Sequence, residues 1–135
     1  EAAQRFLEAK ERYPVGSEGW AVATANACSM LLQTACAEVA KPEWWNDEGL
    51  KPLSARVVRA APNNTCVIIM RAAVLSGRAL GAREAGPRSS AELMEAATHF
   101  ERAAAVHPAP AVQAGYANVA DQCRRQAEAM VSMSM

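Results

Sequence analysis

Aromatic side chains are scarce in this chain: three Trp, two Tyr and two Phe make up 5% of its 135 residues. Half of the residues (51%) are still hydrophobic, and alanine supplies much of that share. Alanine is the best helix former and leaves little side chain to bury, so this balance favours closely packed helices over a sheet. An excess of charge is missing too. Fourteen basic residues meet fourteen acidic ones, and the pI is near 7. That excludes a general nucleic-acid binder, which needs surplus Lys and Arg, and gives no polybasic helix for a membrane surface. No apolar run reaches the 18 residues a membrane span needs; the longest, around Cys66–Leu75, is interrupted by Arg71, and no secretory signal is present. A length of 135 residues suits about one domain, long enough to bury a core.

The residues that carry chemistry are equally sparse. His99 and His107 are the only histidines. They stand eight residues apart on one helical segment, about 12 Å along its axis, too far to share a metal. They read as exposed helix-end residues, with His107 placed to meet the helix dipole. Gly77 and Gly81 lack the Gly-Lys-Ser/Thr continuation of a phosphate loop. No Ser-His-Asp or Cys-His arrangement emerges, and Glu92 and Glu95 read as solvated first-turn charges. Cys28, Cys36, Cys66 and Cys123 fit no zinc or redox spacing. Each falls in an apolar helical stretch and reads as a buried free thiol; disulfides stay open, although a reducing intracellular, cytoplasmic home suits the pattern better. The expectation is a non-enzyme with no cofactor and no metal.

What is present is a recurring pattern. Ala2, Phe6, Ala9 and Pro14 form Ala-x3-Phe-x2-Ala-x4-Pro, and Ala96, Phe100, Ala103 and Pro108 repeat it. Leu50, Ser54, Val57 and Pro62 are a degenerate copy, and the prolines lie 48 and 46 residues apart. Recurrence at a near-fixed period marks a repeat architecture.

Six helical segments follow from the apolar spacing. The first runs from Glu1 to about Tyr13 and stops at Pro14-Val15-Gly16. Ser17 with Glu18 caps the second, which reaches about Val39; its uncharged stretch from Ala21 to Ala37 marks a helix buried on most sides. Asn46 or Asp47 caps the third, which starts near Leu50 or Lys51 with Pro52 in its first turn and ends at Ala61. The fourth spans Thr65–Leu80 after a Pro62-Asn63-Asn64 turn; a strand at Val67–Ile69 is the alternative, but it would have no partner. Gly81–Ser90 is a loop. Ser89 or Ser90, with Glu92, opens the fifth, which ends at His107. The sixth runs from Ala111 to Met130, with Val112, Tyr116, Val119, Ala120 and Cys123 inward. Val131–Met135 reads as a frayed tail beyond one domain over 1–130. Because the chain opens without Met and inside a helical pattern, it reads as a piece of something longer.

The pattern resembles the tetratricopeptide-like (TPR-like) family of helix-pair repeats. In that family the second helix of a repeat carries small-x3-aromatic-x2-small and ends at a proline. The resemblance covers nearly the whole chain, although its repeats are lengthened from the usual length of about 34 residues. It implies an all-α fold of antiparallel hairpins stacked as a short right-handed solenoid, with Phe6 and Phe100 wedged between hairpins. A compact non-repeat helical bundle is the alternative. The function implied is a protein-protein interaction scaffold that binds a protein or peptide through its groove or apolar end faces. An accessory helical domain of a larger enzyme, or a structural subunit of a large assembly, is the other reading. Two sets of residues are candidates for partner binding. Trp44-Trp45 either anchors a partner or packs beneath the break and over a helix end. Arg71, Asp121, Arg124 and Arg125 either face a groove that takes an acidic peptide or form an ordinary solvated face.

Overall fold

Helix starts in this protein follow local capping chemistry. The structure, a computed structural model, describes residues 2–32, 43–79 and 86–134. Among these it contains six α-helices and no strand: α1 Ala2–Glu11, α2 Glu18–Leu32, α3 Asp47–Ala60, α4 Thr65–Leu75, α5 Ser90–Val106 and α6 Pro110–Ser134. The all-α class is as expected. The stretch of segment two that holds Ala35, Cys36 and Val39, the end of segment four at Leu80, and the side chains of Ala2 and Phe6 lie outside the described residues.

A helix leaves its first N–H groups without partners, and a side-chain oxygen at the cap satisfies one of them. Ser17 Oγ accepts from Trp20 N–H at 3.2 Å, and Asn64 Oδ1 accepts from Val67 N–H at 3.1 Å. Ser89 and Glu92 form a reciprocal capping box: Ser89 Oγ accepts from Glu92 N–H at 3.0 Å, and Glu92 Oε1 accepts from Ser89 N–H at 2.9 Å. Pro110 opens α6 at the position where a missing N–H costs nothing. Before α2 the chain turns at Gly16, whose φ of +91° suits a residue without Cβ.

Four boundaries and facings differ from the sequence reading. α3 starts at Asp47, earlier than Leu50, because Asn46 caps it; Pro52 then lies inside the helix at an exposed position. Water can serve the one carbonyl that loses its helical donor there. α4 stops at Leu75, short of the expected Leu80, and residues 76–79 form turns, while its β-branched run Val67–Ile69 is helical as expected. α6 continues as helix to Ser134, through the stretch expected to fray. Val112 is 37% exposed, not inward; it sits in the first turn of α6, ahead of the buried positions Ala120, Cys123 and Ala127.

The chain divides into two compact units, Glu1–Met70 and Arg71–Met135, and the division falls within α4. In the first unit, α1 packs on α2 and α2 on α3. Trp20, Ala23, Ala27 and Cys28 of α2 are buried, as are Leu50, Ser54 and Val57 of α3. Ser54, at the position where the repeat pattern carries an aromatic, donates from Oγ to the Lys51 carbonyl at 3.1 Å. In the second unit α5 packs along α6. Leu93, Ala96, Ala97 and Phe100 form its core with Ala72, Leu75, Ala120, Cys123 and Ala127. Phe100 stacks on Tyr116 with ring centroids 6.1 Å apart. Alanine at most contact positions lets the helices approach closely, and one aromatic fills the space that alanine leaves.

Candidate functional site

Trp44 and Trp45 precede α3. Both are partly buried and pack, with Leu7 and Met30, against one apolar cluster. Their rings meet edge to face at 6.1 Å, and Lys10 Nζ lies 5.5 Å from the Trp44 ring centre. The backbone fixes them. The Trp44 carbonyl accepts from Asn46 N–H at 2.8 Å, and Asn46 in turn accepts from Gly49 N–H at 2.8 Å. A Cβ on Gly49 would stand 2.3 Å from the Trp44 carbonyl oxygen. Gly49→Ala is therefore expected to cost about 1–3 kcal/mol and to perturb tryptophan fluorescence, because neither clashing group is a flexible side chain. Urea unfolding followed by fluorescence tests this; an unchanged midpoint and spectrum would exclude the close approach.

The arginine set lies in the second unit, and each of its arginines holds a carboxylate there. Arg71 Nε donates to Glu95 Oε2 at 3.1 Å. Arg125 Nε pairs with Asp121 Oδ2 at 3.0 Å, one turn away on α6. Arg124 pairs with Glu101 across the α5–α6 seam. Glu95 also takes His99 Nε2 on the same oxygen at 3.1 Å. His99 is buried, at 8% exposure, where the sequence suggests an exposed residue. It stands one turn from Ala96 and Ala103 on the core side of α5, and Glu95, four residues earlier, makes that burial tolerable. The Glu-x3-His spacing was the available signal.

Burial pushes the Glu95 carboxyl up, but the hydrogen bonds and charges of His99 and Arg71 outweigh it and hold the group below its ordinary 4.5. A carboxylate whose folded pKa lies below its unfolded value adds stability above the ordinary range and loses it as pH falls through the folded pKa. Stability should therefore decline as pH drops below 4.5, and Glu95→Gln should remove part of that decline. Denaturant midpoints at neutral and acid pH check it; an identical pH slope in the variant would deny Glu95 the role.

The two buried thiols described, Cys28 and Cys123, offer no activated nucleophile. Burial pushes Cys28 up to about 12 against a small opposing effect of Lys10. Cys123 is raised by burial too, opposed by the charge and hydrogen bond of Arg78. Thiols so shifted stay protonated at neutral pH. Cys66, expected to be buried, is exposed in the first turn of α4. Among the described residues no group of three or more His, Cys, Asp or Glu is placed to hold a metal, and no helix is long and apolar enough to cross a membrane.

The feature that the sequence did not reveal is a groove of about 480 Å³ between the start of α5 and the end of α6. Ser90, Ala91 and Met94 form one wall; Ala127, Glu128 and Val131 form the other. Of these, Met94 (38%) and Val131 (49%) are exposed. In sequence, nothing singles out Met94, and Val131 reads as part of a frayed tail. Their neighbourhood exists only once the two helices run side by side. Comparison with protein-family models, with curated proteins and with solved structures finds no match for the chain.

Proposed function

We propose that the protein is a non-catalytic interaction module that docks a protein or peptide partner in the groove between α5 and α6 of its second unit. The single observation that carries this reading is the pair of large apolar side chains, Met94 and Val131, left in water in a concave seam. Methionine is flexible and polarisable and adapts to varied partners, and such seams take the apolar face of a helix. The repeat reading belongs to the same proposal. Its support is the antiparallel α5–α6 pair, with Ala96, Phe100 and Ala103 of the pattern all buried. An acidic peptide aimed at Arg71, Arg124 and Arg125 would have to displace carboxylates that these arginines already hold. That argument favours the groove. Trp44 and Trp45 are a second proposed contact point, supported by their partial exposure ahead of α3.

Site-specific photo-crosslinking tests the proposal. A photoreactive residue at Met94 should capture a discrete partner, and Val131→Glu should abolish that capture. The same probe at Val112, exposed at the other end of the hairpin, should capture none of it. Equal capture from both positions would sink the assignment.

A further inference from the structure

The chemistry of the groove's partner can be read from the charges around it, on the footing that the groove is a docking site as proposed above. Four of the acids described in the second unit are matched internally. Glu92 closes the Ser89 capping box, Glu95 holds Arg71 and His99, Glu101 holds Arg124, and Asp121 holds Arg125. Glu128 is the exception: it is exposed, it has no partner among the described residues, and it lines the groove. No basic residue lines the groove with it. An apolar seam with one unmatched carboxylate is complementary to an apolar ridge with one cation.

We infer that the groove takes an amphipathic helix from a partner protein, with large apolar side chains one turn apart and a Lys or Arg beside them to face Glu128. The walls set the length of the contact. Ser90–Met94 is one turn of α5, and Ala127–Ser132 is a turn and a half of α6, so about two large side chains fit side by side. The apolar pair supplies most of the affinity. The exposed pair with Glu128 chiefly selects the sign of the partner.

Panning a phage library of random peptides on the intact chain tests this. Enriched sequences should carry apolar residues at i and i+3 or i+4, with Lys or Arg within a turn. Met94→Glu and Val131→Glu should weaken the selected peptides by about tenfold or more, because each places a charge in the apolar seam. Both side chains are exposed, so helical circular dichroism should not change. Glu128→Lys should weaken the basic peptides about fivefold and enrich acidic ones instead. Groove-dependent peptides with no basic bias, indifferent to Glu128→Lys, would overturn the inference and leave the docking site standing. Peptides indifferent to Met94→Glu and Val131→Glu would overturn both. Self-association in sedimentation that Val131→Glu abolishes would assign the groove to a second copy of the chain and overturn the inference.

Discussion

Phe100→Ala is expected to destabilise the second unit by about 3–5 kcal/mol, near the upper part of that range. Phe100 is 4% exposed, and the residues around it include Ala96, Ala97, Ala120 and Ala127. An alanine lining cannot rotate a longer side chain into the hole, so the cavity should stay open and its cost should be paid nearly in full. Tyr116 would also lose its stacking partner, a further contribution of about 0.5–1.5 kcal/mol. Gains on the other side are small, because replacing Phe by Ala in a helix returns only about half a kcal/mol of propensity. Phe100→Leu keeps much of the volume and should cost clearly less, about 1 kcal/mol. Urea titration followed by helical circular dichroism measures both. A loss under about 1 kcal/mol for the alanine variant would contradict the view that one ring holds this alanine-lined seam apart.

The parts of this fold that were legible in the sequence are those decided within one or two helical turns. Ser17 and Ser89 announced their caps because each needs only an oxygen three residues before a free N–H. The apolar face of α5 was legible because Leu93, Ala96, Phe100 and Ala103 keep helical spacing. Where two local signals competed, the sequence was read wrongly. Pro52 was placed in a first turn, but the Asn46 cap started α3 five residues ahead of it. What remained hidden depends on a second helix. His99 is buried where it meets Glu95, which Arg71 of α4 also holds. Cys66 is exposed although its neighbours Val67 and Ile68 are buried, since it occupies the outer side of the first turn. The groove joins residues of α5 and α6 that are more than thirty positions apart. Periodicity along one helix carries no record of which residues of another lie opposite.

Trp20→Ala should be the most damaging single truncation in the first unit, at about 3–5 kcal/mol. Trp20 is 3% exposed in the first turn of α2, next to the buried Ala21 and Ala23. Its backbone joins two local bonds: its N–H donates to Ser17 Oγ, and its carbonyl accepts from Thr24 Oγ1 at 2.7 Å. Alanine keeps both, so the loss isolates the indole. Arg56 of α3 lies with its guanidinium carbon 5.8 Å from the ring centre, but Arg56 is exposed, and a cation over an aromatic face in water contributes only about 0.5–1 kcal/mol. Burial of the ring must therefore dominate. The paired variant Arg56→Ala separates the two effects. It should cost at most about 1 kcal/mol, and Trp20→Ala several times that. Equal losses in the two variants would mean that the contact between α2 and α3 rests on the arginine. A small loss in both would mean that the alanines of α2 pack α1 and α3 without the indole, and that the large side chain at the start of this helix is not what spaces the first unit.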